Sequence, residues 1–249
     1  MDRDEFTRRL LIDGGISAGM RVLDAGCGSG DVSLMACGMV GAGGEVTGVD
    51  VSESALAAAR NKADDGRVSS ARFVRADING LPQGMGRFDV IVGRRVLMYQ
   101  KDPARCADAL IGHLEPGGRM IFQESDGMLS PFQPCRMPLH AKVLAWMWDT
   151  VAREGGDVRF GRRLYAVMKT AGLSVTLARA EAVLHTPESG SDLGWAAKAM
   201  APRMVSEGVA TLEEIGAETL EERLRTELMK SGEPFFRDMA FGVCAEMTV

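Results

Sequence analysis

Three glycines alternate at positions 26, 28 and 30 in the stretch VLDAGCGSGDVS, and Asp24 stands two residues ahead of the first. A glycine loop after an apolar run lets backbone approach a nucleotide. A dinucleotide fingerprint also needs a third glycine three residues after the second, so that a helix N-terminus can receive the pyrophosphate. Here Asp31 occupies that position. Asp24 adds an electrostatic objection, because like charges about 4 Å apart repel by about 4 kcal/mol at an effective dielectric of about 20. The mouth of this loop suits a ligand with a positive group.

S-adenosyl-L-methionine is such a ligand, with an ammonium, a sulfonium and a ribose diol that wants an acceptor, and without a phosphate. Asp50 in VTGVDVS, twenty residues beyond Gly30, is spaced to close a second strand and accept from both ribose hydroxyls. Methyl transfer from a sulfonium is an in-line displacement governed by alignment, so the lack of an obvious acid/base constellation does not count against it.

The elements that must hold these residues follow from the apolar pattern. Between Arg21 and Glu124, short apolar runs alternate with helical patterns, as in repeated βαβ units on a parallel sheet. Strands are predicted at Arg21 to Asp24, Val46 to Asp50, Ala71 to Arg75, Phe88 to Gly93 and Arg119 to Glu124. Ser52 and Asp102-Pro103 are helix-start signals, and Glu115-Pro116-Gly117-Gly118 reads as a tight turn. Beyond Glu124 come three prolines between Ser130 and Pro138, a helix over Leu139 to Ala152 apolar round more than half its circumference, and a helix from Arg159 to Ala171. A strand over Leu173 to Leu184, a helical region from Pro187 to Gly232 with a capping box at Thr211 and Glu214, and a period-two strand over Phe235 to Val249 complete the chain.

VLDAGCGSG, GVDVS, RADINGLP, FDVIVGRRVLMY and HLEPGGRMIFQE, in that order, resemble the successive motifs of the class I S-adenosylmethionine-dependent methyltransferases, over roughly residues 8 to 124. The resemblance implies a doubly wound α/β fold with a seven-stranded, mostly parallel sheet whose last strand is antiparallel. It implies that Asp24, Gly26, Cys27, Gly28 and Gly30 surround the methionine part of the cofactor and that Asp50 binds the ribose. Val51 is then expected against the adenine, Ala76, Asp77 and Ile78 around its amino edge, and backbone at Gly93 and Arg94 near the sulfonium. The product would be S-adenosyl-L-homocysteine. Met98 and Tyr99 are substrate-side candidates, and the region resembles enzymes of specialised-metabolite and quinone biosynthesis.

Each assignment has a plainer counterpart. Asp24, Asp50 and Asp77 are also placed to cap the segments that follow them, and Arg94 and Arg95 read as solvated charges apart from their backbone position. Tyr99 and His140 are the candidates for a catalytic group, although a lone histidine is more often structural; Trp146 joins them as a pocket candidate. His113 reads as a helix C-terminal residue facing the dipole. Residues 1–249 are read as one domain, with its core at 8–124, 159–184 and 233–249. Helical insertions at 126–158 and 187–232 cap the C-terminal edge of the strands and are expected to enclose a largely apolar cavity for a small molecule.

Net charge is −5 without a basic block, which argues against nucleic acid as a partner, and no run approaches the length of a membrane span. Five scattered cysteines (Cys27, Cys37, Cys106, Cys135, Cys244) lack metal or disulfide spacing, so they read as reduced and no metal is expected. The N-terminus lacks a signal-peptide core, so a cytoplasmic protein is expected, with a small-molecule acceptor as partner and a homodimer compatible with the reading. The expected activity is methylation of a nitrogen or oxygen on a small aromatic or heterocyclic metabolite. Carbon methylation, a nicotinamide-dependent oxidoreductase and a catalytically silent cofactor-binding partner are the alternatives. Where amino methyltransferases of DNA bases carry an Asn-Pro-Pro-Tyr-like stretch, this chain has GRRVLMY.

Overall fold

The computed structural model describes residues 3–127 and 136–248; Pro131, Pro134 and Cys135 lie outside the described residues. Seven strands, β1 (Arg21–Ala25), β2 (Glu45–Asp50), β3 (Ala71–Arg75), β4 (Phe88–Arg94), β5 (Leu114–Asp126), β6 (Ser174–His185) and β7 (Phe235–Glu246), form one sheet. Its order is β3-β2-β1-β4-β5-β7-β6. Strands β1 to β5 pair in parallel, and β7 runs antiparallel between β5 and β6. This is the seven-stranded arrangement that the motif order implied.

Side chains alternate across the sheet, so each strand feeds two cores. On one face Val22, Val46, Val90 and Val92 pack with Phe6 and Leu10 of α1 (Arg3–Asp13) and with Val32, Ala36 and Val40 of α2 (Asp31–Val40). On the other, Leu23, Ile91 and Phe122 pack with Leu110 of α4 (Pro103–Ile111) and Leu164 of α6 (Leu164–Thr170). The second cluster continues without a break into α5 (Pro138–Arg153), α7 (Leu193–Ser206) and α9 (Leu220–Ser231) through Val143, Met204, Leu224 and Leu228. These three helices also pack on one another.

The local signals behave as their chemistry requires. The Ser52 hydroxyl accepts from the Ala55 amide at the start of α3 (Glu53–Asp65), and Asp102 accepts from Arg105 N ahead of Pro103. Thr211 and Glu214 form the capping box of the short α8 (Leu212–Ile215).

Three details differ from the sequence reading. The Glu115 to Gly118 stretch is a bulge inside β5 and not a turn before it: pairing runs Phe88 with Leu114 and then jumps to Val90 with Arg119, with Gly117 at φ +74° taking up the slack. Strand β7 does form, but with both faces covered its burial does not alternate: Ala240 and Cys244 are buried in one core, Val243 and Ala245 in the other. His113 turns its Nδ1 to the carbonyl of Gly86 at 3.1 Å instead of attending the end of α4. No helix among the described residues is long and apolar enough to cross a membrane.

Strand order reverses between β1 and β4, and the crevice outside the C-terminal ends of these strands is where open α/β sheets bind ligands.

Candidate active site

Two adjoining cavities occupy that crevice. One, of about 650 Å³, lies over β2 and β3 and is lined by Asp50, Val51, Ala76, Asp77 and Ile78 among others. The other, of about 340 Å³, lies over β1 and is lined by Asp24, Cys27, Gly28, Asp31 and residues of α7. Gly26, Arg95, Tyr99 and Arg203 line both, so the two adjoin.

Asp24 is 1% exposed at the end of β1, and its Oδ2 accepts from the Ser33 hydroxyl of α2 at 2.5 Å. Burial pushes this carboxyl up to about 7, with the Ser33 hydrogen bond and the charge of Arg94 pulling the other way. Cys27 lines the same cavity, and burial raises its thiol far above the ordinary range, leaving it unreactive. Gly26 sits at φ +68°, where a Cβ would stand 2.6 Å from Val96 Cγ2. Gly28, at φ +53°, has nothing within 4 Å of the Cβ position, so its missing side chain leaves open space beside the backbone. The third glycine serves packing: Gly30 precedes α2, and a Cβ there would come within 2.9 Å of Ala59.

Asp50 accepts from the Gly28 amide through Oδ2 and from the Ser52 amide through Oδ1, both at 2.9 Å. Its carboxylate thus ties the glycine loop to the end of β2 and faces the larger cavity. Asp77 is organised by Asn79, whose backbone and side-chain nitrogens both donate to Oδ1 at 2.9 Å. Ile78 is buried under the cavity floor, whereas Val51 is exposed at its rim. A buried acid beside an open glycine suits an ammonium group, and the Asp50 and Asp77 pair suits a nucleoside. The chemistry of these residues therefore fits S-adenosylmethionine.

The acceptor side departs further from expectation. Tyr99 reaches both cavities, but Met98 is buried beneath them and lines neither. On α5 it is Met147, not Trp146, that faces the smaller cavity; Trp146 packs in the core with Lys142 Nζ 4.8 Å from its ring centre. His140 also lines neither cavity. It is fully buried, its Nδ1 lies 2.7 Å from Glu227 Oε2, its ring packs tilted against Phe235 at 4.7 Å between centres, and burial lowers its pKa. Gly93 supports the strand instead of the cavity, since a Cβ there would meet the Phe122 ring at 2.5 Å.

The arginines are not free surface charges. Arg94, Arg95, Arg203 and Arg237 all line the smaller cavity, so it is less apolar than its methionines and tryptophans suggested. Arg203, together with Ala196, Ala199 and Met200, was readable as one face of α7 at spacings of three and four. Arg237 and Met147 carried no such signal.

A family model described as a methyltransferase domain matches residues 16–158. Over 119 residues the chain is 35% identical to a ubiquinone/menaquinone biosynthesis C-methyltransferase of Idiomarina loihiensis, covering 47% of each. It spans about half the length of the first curated relatives it matches. Among solved structures, a methyltransferase of Bacillus halodurans described as putative superposes with TM-score 0.65 at 15% identity, covering 98% of this chain and 100% of that one. The [4+2]-cyclase SpnF superposes with TM-score 0.61 at 18% identity, covering 99% and 82%. At such identities the likeness shows the fold alone, and the cyclase shows that this fold admits other chemistry. With the family match spanning more than half its length and the sheet order in agreement, the chain belongs to the methyltransferase domain family.

Proposed function

We propose that this protein transfers the methyl group of S-adenosylmethionine to a small organic acceptor held between the loop after β4 and helices α5 and α7. The observation that carries the reading is the pair of adjoining cavities, with buried Asp24 lining one, Asp50 and Asp77 lining the other, and Gly26 lining both. When bound, the cofactor supplies a methyl group already activated on sulfur. The chain's part is placement: Asp24 holds the cationic tail, Asp50 fixes the nucleoside, and Met147, Ala196 and Met200 exclude water from the acceptor. Such placement contributes on the order of 7 to 11 kcal/mol to a bimolecular step.

A nitrogen or oxygen acceptor is the first reading, since a lone pair on the acceptor attacks without a carbanion and His140, the candidate base, is turned away from the cavity. Carbon is the second, favoured by the printed activity of the curated relatives. Calorimetry with S-adenosylhomocysteine, beside NADH and NADPH, tests the cofactor assignment. Saturation by a pyridine dinucleotide with no heat from the homocysteine nucleoside would overturn it. Incubation with ¹³C-methyl-labelled cofactor and a panel of small acceptors then reads the acceptor atom directly from the chemical shift of the new methyl group.

A further inference from the structure

The smaller cavity carries more positive charge than the cofactor uses. Of its four arginines, three have partners: Arg94 with Asp4 at 2.6 Å, Arg203 with both carboxylate oxygens of Glu154, and Arg237 with Asp192. Arg95 differs. Its guanidinium lies 5.5 Å from the Trp148 ring centre, its Nε is buried without a hydrogen-bond partner, and no carboxylate lies within ion-pairing distance among the described residues. Glu124 feels the charge of Arg95 but makes no ion pair with it: its Oε1 is taken by the Val96 and Leu97 amides, and its Oε2 is buried without a hydrogen-bond partner. Arg95 also holds φ at +58°, a left-handed conformation that costs a residue with a Cβ about 1 kcal/mol or more. A strained backbone that presents an unpartnered, partly buried guanidinium to a cavity points to a missing anion.

Which anion follows from position. Arg94 acts electrostatically on Asp24 and Asp31, in the cavity assigned to the amino-acid tail of the cofactor, and so is placed for that tail's own carboxylate. Arg95 and Arg203 line both cavities, with Tyr99 beneath the Arg203 guanidinium at 5.7 Å. The wall beside them is apolar, made by Met147, Ala196, Ala199 and Met200. We propose that the acceptor is amphipathic and carries an anionic oxygen group, a carboxylate or a phosphate ester, held between Arg95 and Arg203 with its apolar body against α7. Glu154 holds Arg203 through Nε and Nη2, which leaves Nη1 for such a group, and the Arg95 guanidinium is braced on Trp148, so both are preorganised. The word acceptor rests on the methyltransferase reading; the anion site does not.

The test is calorimetric titration of the S-adenosylhomocysteine-saturated protein with benzoate, phenyl phosphate and benzamide. At least one anion is expected to bind about tenfold or more tightly than the neutral amide, and the stronger of the two identifies the group. Arg95→Gln and Arg203→Gln are each expected to remove about tenfold of the anion's affinity and leave benzamide unchanged. Benzamide binding as tightly as both anions, or neither anion binding, would overturn the proposal in the wild-type protein alone, whatever the variants do. If the homocysteine nucleoside fails to bind but the anion preference persists in the free protein, the arginine site stands and the methyltransferase reading falls.

Discussion

Cofactor binding should be coupled to the release of a proton from Asp24. The unliganded carboxyl is pushed up to about 7 because its burial at the end of β1 outweighs the hydrogen bonds it accepts from the Ser33 hydroxyl and backbone. The distance from 3.8 to about 7 corresponds to about 4 kcal/mol favouring the neutral form. An ammonium placed beside the carboxyl favours the ionised form, so the bound state titrates lower than the free state. Between the two values, affinity must rise with pH by up to about tenfold per pH unit, or about 1.4 kcal/mol. Titrating S-adenosylhomocysteine into the protein at about pH 5.5 and 7.5, in buffers of different ionisation enthalpy, reads both the affinity and the protons released. Roughly one proton should appear at the lower pH and few at the higher. Asp24→Asn still accepts from Ser33 but cannot ionise, so it should bind at both pH values about as weakly as the wild type does in acid. An affinity flat across this range, with no dependence of the heat on buffer, would refute the claim that Asp24 meets the cationic tail.

Asp50→Ala should weaken S-adenosylhomocysteine by about 2 kcal/mol, roughly thirtyfold, measured by calorimetry, because it removes the nucleoside acceptor and frees the Gly28 and Ser52 amides. Gly26→Ala places a Cβ against Val96 at positive φ, so a drop in stability of about 1–3 kcal/mol is expected in denaturant unfolding, with loss of cofactor binding. His140→Gln should lower the melting temperature and leave the pH profile of turnover unchanged, since the imidazole is locked to Glu227 away from both cavities. A pH profile that moves would restore it as a catalytic candidate. Asp24 and Glu124 are both raised to about 7 by burial, so the folded chain keeps protons that the unfolded chain has released. Stability of the unliganded protein should therefore fall as pH rises from about 4 to about 7, and a stability constant over that range would contradict these burials.

The glycine-loop side of the crevice was legible because its determinants are local. Asp24 and the glycines are fixed by one strand-to-helix turn, Asp50 closes β2, and Asp77 follows two residues after the end of β3. The acceptor half depends on which face of α5 and α7 turns inward. Adjacent residues on a helix point about 100° apart, so exchanging Trp146 for Met147 at the cavity wall is an error of one residue that only packing can correct. For a related reason the side chains of Arg94 and Arg95 were read as solvated charges, and Arg203 and Arg237 were not singled out. Taken singly, Arg94, Arg95, Arg203 and Arg237 are ordinary surface residues, and only the tertiary fold gathers β4, α7 and β7 round one space. The Pro-Gly-Gly bulge in β5 was hidden because the same dipeptides begin turns, and what separates the two outcomes is the strand waiting alongside.

The paired cavities have an evolutionary corollary. Their glycine-loop and strand-end walls are built mostly from short stretches between positions 24 and 79, while much of the opposite wall comes from α5 and α7 far along the chain. Drift in those helices can reshape one wall while the other stays untouched. Specificity and competence can then diversify separately, with the shared corner at Gly26, Arg95, Tyr99 and Arg203 as the place where the two inheritances must stay compatible.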